Sequence, residues 1–294
     1  PLALAATSVS ITGLTAFGPT TGVPNNSTQT TYQYVANLSL NRGRHSWKTG
    51  VDIKRFNRDN FFISAQPTGA FSFSPNFTSR TGVTGGGAGF ASFLLGTPNQ
   101  INRGHVDSPT NRLNSEFGVY LQDEIKWSQN LTLNLGVRYE LFQPWYEVRD
   151  RMSSLDLQNG QVVLAGANNK FGRSLRKTDT NNVAPRAGFA WKVPGASRLV
   201  VRAGYGVSYI EEFGGNGTNP IQNAPNAFTQ NEVYSTTGLP IRYLREGLPA
   251  PPALDLNNPF GQFRFLAYDS VAAYAQQWDL SIQREFGQNW LIDA

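Results

Sequence analysis

The sequence predicts an all-β fold, an antiparallel transmembrane β-barrel of which this chain supplies a part, with long extracellular loops. Three observations predict it. Four short turns are each flanked by runs of alternating apolar and polar residues, the connections between these hairpins are long, and tryptophans recur beside the short turns. Side chains alternate between the two faces of a strand, so each such run has one apolar and one polar face.

The clearest hairpin surrounds residues 128–130. The run after this turn, 131–141, places these residues on its apolar face: Leu131, Leu133, Leu135, Val137, Tyr139 and Leu141. The run before it, 117–127, alternates in the same way. Only three residues separate the two runs, which is typical of a β-hairpin.

The same pattern predicts three more hairpins, around turns 41–44, 194–198 and 287–289. A weaker fifth turn is expected within 13–30, after the short run of Val9 and Ile11. The shared alternation predicts one continuous antiparallel sheet from the runs 32–40, 45–55, 116–127, 131–142, 184–193, 199–209 and 276–286.

The connections between hairpins are long, roughly residues 56–114, 143–182 and 210–274. In outer-membrane barrels the periplasmic turns are short and the extracellular loops long, and loops of this length are rare inside compact soluble domains. The alternative is a soluble carbohydrate-binding β-sandwich. It predicts that the apolar faces of the strands pack on one another in a closed core.

Tryptophan placement is an independent signal. Four tryptophans lie close to a short turn on the apolar face of their strand, and a fifth lies near the opposite end of its strand: Trp47, Trp127, Trp191 and Trp290, and then Trp278. Aromatic residues at both ends of an apolar face predict two interfacial girdles. The alternative is that these are core tryptophans of a sandwich.

The polar faces of the strands carry charged residues that a barrel would turn toward its lumen: Arg138, Glu140, Arg186 and Arg202. The alternative is the solvated face of a soluble sheet. Asp123 departs from the pattern because it falls on the apolar face. Either it lies near the periplasmic interface, where a charge costs little, or a β-bulge turns it inward.

Composition narrows the classes of function. The 294 residues include no Cys, which excludes disulfides and thiolate metal sites. Mean hydropathy is −0.35, as expected when only alternate residues of a strand face lipid. The net charge is +5, but the basic residues are scattered, so nucleic-acid binding is not favoured.

No catalytic or cofactor motif is present. His45 and His105 lack carboxylates at a metal-binding spacing, and GGGAG at 85–89 lacks the Lys-Ser/Thr of a phosphate loop. We therefore expect no enzyme activity, cofactor or metal. The loops 61–77 and 216–228 are rich in Asn, Gly, Pro and aromatic residues that suit sugars or peptides at a pore mouth. The alternative is solvated packing between neighbouring loops, and the sequence does not identify the substrate-binding residues.

Neither end of the chain looks natural. The N-terminal residues PLALAATS lack the basic start and apolar core of a signal peptide, and the last residues, WLIDA, stop within a strand. We expect a fragment of a longer protein.

Six stretches resemble one family. They are RGRHSWKTGVDIKR (42–55), FASFLLGTP (90–98), FGVYLQDEIKWSQNLTLNLGVRYE (117–140), NNVAPRAGFAWKV (181–193), RAGYGVSYIEEF (202–213) and QQWDLSIQREF (276–286). In this order they resemble TonB-dependent outer-membrane receptors of the Oar-like type, and the resemblance extends over most of the chain from about residue 30.

The resemblance implies a Gram-negative outer-membrane location and energised uptake of a scarce nutrient. Its implied partners are outer-membrane lipid, the TonB complex, and a small substrate such as an oligosaccharide, peptide or chelate. It also implies an N-terminal plug, a TonB box and often a carboxypeptidase-regulatory-like domain. None of these matches within 1–294, which resembles part of one barrel domain. Plugged transporters have about 22 strands, so about nine strands would be well under half the wall. The alternative within this class is a plug-free, porin-like channel.

Overall fold

The computed structural model describes residues 7–19, 25–62, 68–80, 86–106, 109–166, 168–196, 198–210, 220–234, 240–250, 263–264, 267–286 and 290–294. Its strands are β1 (Ser8–Ile11), β2 (Asn25–Arg42), β3 (His45–Phe62), β4 (Ala70–Phe73), β5 (Gln100–Val106), β6 (Thr110–Lys126), β7 (Leu131–Phe142), β8 (Tyr146–Glu147), β9 (Ser153–Asp156), β10 (Gln161–Leu164), β11 (Val183–Lys192), β12 (Leu199–Ile210), β13 (Ala227–Val233), β14 (Ala273–Phe286) and β15 (Trp290–Asp293). One short helix, α1 (Gly89–Leu94), and two 3-10 turns, Pro75–Thr78 and Leu244–Glu246, complete the described elements. None of the described helices is long and apolar enough to cross a membrane.

The main sheet is antiparallel and has nine strands, in the order β15-β14-β12-β11-β7-β6-β3-β2, with β8 paired to β6. All seven predicted runs lie in this one sheet, and the four predicted hairpins are β2–β3, β6–β7, β11–β12 and β14–β15. The turn residues 287–289 lie outside the described residues. Because the runs are not divided between two facing sheets, the sandwich alternative is wrong.

Several strands are longer than the alternation predicted, β2 and β3 most of all. β2 and β3 each have 18 residues and pair along their whole length, from Arg42 opposite His45 to Asn25 opposite Phe62. The predicted run 32–40 began late because residues 25–31, NNSTQTT, are polar on both faces. Backbone pairing to β3 holds this polar segment in the sheet although no apolar face marks it.

A second sheet contains β1, β4, β5 and β13, and its core consists of Val9, Ile11, Phe71, Phe73 and Ile101. The fifth turn expected within 13–30 is therefore wrong as a barrel hairpin. β1 pairs in parallel with β4, and Val9 bridges to Phe17. The apolar side chains of β1 are buried in this smaller core and do not extend the apolar face of the main sheet. Residues 20–24 lie outside the described residues.

We call the described parts of the three long connections, together with residues 7–19, the cap. β5, in the connection after β3, pairs with β13, in the connection after β12. Their ladder has seven residue pairs, from Val106 opposite Ala227 to Gln100 opposite Val233. The connection 143–182 joins them through Asn223 of the connection 210–274, which is fully buried and whose side-chain amide donates to the carbonyl of Ser153 at 2.7 Å. Met152, Leu175 and Ile221 form an apolar cluster beside this contact. All three connections are thereby held together.

The main sheet is open, because among the described residues β2 and β15 each pair with one neighbour only. An unpaired strand edge in lipid leaves its N–H and C=O groups without partners, and an exposed edge in water templates aggregation. We predict that residues 1–294 expressed alone will aggregate or misfold in detergent micelles. The measurement is the electrophoretic migration of the protein before and after boiling, combined with limited proteolysis. A compact, protease-resistant monomer whose migration shifts on boiling would show that this segment closes into a small barrel, against our prediction.

Candidate functional site

We call the polar face of the main sheet the inner face. Strand register aligns one row of inner-face residues across six neighbouring strands: Lys48, Gln122, Gly136, Arg186, Gly206 and Gln277. Two cavities open on this row, one of about 310 Å³ and one of about 460 Å³. Gln122, Gly136 and Arg186 line both, so the cavities are adjacent.

Glycines make room for the charged side chains of this face. A Cβ on Gly118 would lie 2.6 Å from an Arg138 Nη atom, and a Cβ on Gly204 would lie 2.5 Å from Asp279 Oδ1. Both distances are well below van der Waals contact, so Arg138 and Asp279 lie across the bare backbone of the neighbouring strand. Gly188 lies directly opposite Gly204, which leaves a floor without side chains between β11 and β12.

Most carboxylates toward the long-loop end of the inner face are paired. Arg138 Nε donates to Glu140 at 2.8 Å, and Lys54 Nζ lies 3.2 Å from Glu116. Asp52 accepts a hydrogen bond of 2.9 Å from Gln33. These pairs hold the side chains at the long-loop end of the inner face. The remaining cations of this face lie nearer the short turns.

The structure brings three of the four predicted lumen residues together. Arg138 and Arg186 line the 310 Å³ cavity, and Glu140 holds Arg138. Arg202 lies opposite Ala190 and Ser281, on the same face but outside both cavities. Sequence reasoning missed Lys48, because its alignment with Arg186 depends on the register of four strands.

The opposite, outer face is apolar and uncovered. Leu38 is 66% exposed, Leu280 is 65% exposed and Trp278 is 77% exposed. A monomeric soluble protein rarely exposes a continuous apolar surface of this extent. The outer face therefore needs an apolar environment.

The four tryptophans near short turns are also on the outer face, between 39% exposed at Trp47 and 77% exposed at Trp290. Trp191 lies opposite Leu131, the residue before Thr132, and Trp127 follows Lys126, the residue paired with Thr132. The row of Trp47 crosses β6 at Asp123, four residues before Trp127. Trp290 lies opposite Phe286, four residues beyond Ile282 in the row of Trp191.

This drift has the size that tilted strands require. The tryptophan positions move eight residues in one direction along the register over the six steps from β3 to β15. With a rise of about 3.3 Å per residue and a strand spacing of about 4.8 Å, the drift corresponds to a tilt of about 40°. Outer-membrane strands are tilted by about 35–45°, so residues that drift in this way share one level along a barrel axis.

A second aromatic level lies toward the long loops. Tyr209 and Tyr274 are opposite each other, with ring centroids 6.0 Å apart. Tyr209 is eight residues along β12 from Val201, which lies in the row of Trp191. At a tilt of about 40° this spacing is about 20 Å along the axis, near the apolar band of about 25 Å in outer-membrane barrels.

Asp123 stays on the outer face, because its strand pairs without interruption on both sides. The β-bulge alternative is therefore wrong. Asp123 is 8% exposed, and its Oδ2 lies 2.6 Å from His45 Nδ1. The His45 ring in turn stacks on Trp47 at 5.6 Å. His45 thus supplies the polar partner that a carboxylate on an apolar face requires.

The other histidine, His105, stacks on Phe228 in the cap.

The cap contains a third cavity, of about 450 Å³, between the β9–β10 hairpin and residues 267–269. Phe171 and Tyr268 meet edge to face at 5.1 Å in its wall. Lys170 Nζ lies 3.0 Å from Asp156 at the same cavity and holds the pKa of that carboxyl below its usual range. The first residues of the loop 216–228, up to 219, lie outside the described residues.

Glu147 anchors the connection between β7 and β11. It is fully buried and accepts hydrogen bonds from the Arg151 guanidinium at 2.8 Å and from the backbone N–H groups of Asn111, Arg149 and Arg151. Burial alone would raise the pKa of Glu147, but these hydrogen bonds outweigh it and lower the pKa.

We predict that Glu147→Gln lowers the free energy of unfolding by about 3 kcal/mol at neutral pH, because it leaves the buried Arg151 charge uncompensated. A carboxyl whose folded-state pKa is lowered contributes fully above its ordinary value of 4.5 and loses that contribution as pH falls through the folded-state pKa. The difference between the two proteins should therefore shrink below about pH 4.5. Urea denaturation of the full-length protein across pH measures it. The control is Glu285→Gln, an exposed carboxylate 3.7 Å from Arg198. Equal effects of the two substitutions would contradict the anchoring role.

The chain was compared with protein families, curated proteins and solved structures. A family model described as outer membrane beta barrel domain matches residues 1–294. No curated protein matches the chain in sequence. The crystal structure of the outer membrane transporter YddB from Escherichia coli is similar to the chain with a TM-score of 0.43 and 16% identity, over 90% of this chain and 24% of that one.

Proposed function

We propose that this chain, which belongs to the outer membrane beta barrel domain family and lies in the outer membrane, forms part of the wall of a TonB-dependent transporter that takes up a scarce nutrient. The outer face meets lipid, and the inner face borders the substrate path. The protein moves its substrate and does no covalent chemistry on it.

The observation that carries this proposal is the position of the polar cavities within the height of the wall. Gly206 lines the larger cavity and lies between Val201, in the row of Trp191, and Tyr209, at the second aromatic level. A polar, glycine-floored surface with about 460 Å³ of open space therefore faces inward at the depth of the lipid-facing band. A barrel wall with a purely structural role would not require such an inward-facing polar surface.

The cap favours an energised receptor over an open porin. Its β5–β13 ladder and Asn223 tie together connections that start from separate hairpins. Loops that are tied in this way restrict the mouth of a barrel, whereas passive diffusion needs an open mouth. The motifs that resemble Oar-like receptors support the same choice.

The test uses the full-length protein. We expect it to be closed to ions in planar lipid bilayers and to crosslink to TonB in cells, because a receptor is opened only by its energising partner. The control for crosslinking is the same strain without TonB. A steady ion conductance without any TonB crosslink would instead identify a porin-like channel and overturn the proposal.

The two aromatic levels give a separate prediction about the membrane. Trp47, Trp127, Trp191 and Trp290 should form one interfacial girdle and Trp278 part of the other. In lipid brominated near the headgroup, Trp191→Phe in the full-length protein should remove part of the quenchable fluorescence. The control is Trp145→Phe, since Trp145 is 9% exposed and packs near Phe56 of β3. If the two substitutions removed the same quenchable fraction, Trp191 would not lie at the lipid interface.

A further inference from the structure

We propose that the 310 Å³ cavity on the inner face binds an oxyanion, a carboxylate or phosphate group of the transported ligand. That the ligand is transported rests on the proposed function, but anion binding at this cavity does not depend on that function. The cavity is lined by three cations from three strands, Lys48, Arg138 and Arg186, together with Tyr120 and Gln122.

The charge around this cavity is unbalanced. Arg138 is paired with Glu140 at 2.8 Å. Within the described residues neither Lys48 nor Arg186 makes an ion pair, and no carboxylate lines the cavity. Asp279 lines the neighbouring cavity, beyond Arg186 and Gly206. Two uncompensated cations and one held cation around one small volume attract an anion.

The cavity also offers shape and hydrogen-bond donors. Arg138 is fixed across Gly118, and the Arg186 stem lies over Gly206, where a Cβ would be 3.6 Å from Arg186 Cγ. Guanidinium groups held in place bind carboxylate and phosphate oxygens in a bidentate way. Gly136, between Lys48 and Arg186 in the row, leaves the floor open for close approach of a ligand.

The position in the wall indicates a site along the path and not at the mouth. The row of Lys48 and Arg186 crosses β12 at Gly206, between the two aromatic levels. A small anion fits this convergence of cations better than an extended protein surface does, because the three cations line one partly open cavity of about 310 Å³. Pairing with acidic residues elsewhere in the protein is the competing explanation, and the test separates the two.

The experiment titrates the purified full-length protein in micelles with citrate and, separately, with pyrophosphate, by calorimetry at low salt. We expect binding of at least one probe, weakened about tenfold by Lys48→Gln and again by Arg186→Gln, since each removes a charged hydrogen bond. Added salt should weaken it further. A preference for citrate identifies carboxylate as the ligand group, and a preference for pyrophosphate identifies phosphate.

The matched control is Arg202→Gln, which removes the same charge from the same face outside the cavity and should change Kd by less than about twofold. Heat-modifiable migration verifies that each variant is folded. No binding of either probe to the wild type, or equal losses in all three variants, overturns the inference. Unchanged anion binding with a lowered melting temperature in Lys48→Gln and Arg186→Gln would show that these cations pair within the protein, and would also overturn it. None of these results bears on TonB crosslinking, so this inference and the proposed function fail separately.

Discussion

The structure depends on one constraint, the need of every backbone N–H and C=O group in a lipid environment to find a partner within the protein. The long antiparallel ladder meets it: β2 pairs with β3 at each of its 18 residues, and β3 pairs with β6 over 16 positions. Because the ladder fixes the backbone, the strictly alternating side chains are divided between two environments. The apolar set faces outward, and the polar set collects on the inner face.

Register then arranges the residues of each face into rows across the strands. On the outer face the tryptophans near the short turns drift in one direction along the register, and a strand tilt of about 40° would bring them to one level. On the other face the same register brings Lys48 and Arg186 into one row, although they are 138 positions apart in the sequence. Gly136 lies between them in this row, and elsewhere on the inner face Gly118 and Gly204 leave room for the close approach of neighbouring side chains.

The sequence predicted the strands that alternate and missed those that do not. Runs such as 131–142 have one apolar face, so period and turn chemistry located them well. The polar half of β2 and the strand β13 carry no such face, because backbone pairing and local contacts hold them. Val9 and Ile11 looked like the start of another barrel strand, but a short apolar run fits a small soluble core equally well. Long-range pairs such as His45–Asp123 and Asn223–Ser153 could not be predicted, because no local pattern encodes which distant residue completes a hydrogen bond.

The β5–β13 ladder has a consequence for the order of assembly. Gln100 and Asn231, which are hydrogen-bonded across it, are separated by 131 residues. Contacts between residues so distant in the chain form slowly, because a long loop must close first. β4 and β5 are made early, yet β5 stays without its second neighbour until β13 has been synthesised and five further strands of the main sheet have been added. During assembly the apolar side chains of this half-finished surface, Phe71, Phe73 and Ile101, stay without the cover of β13 until this late pairing forms.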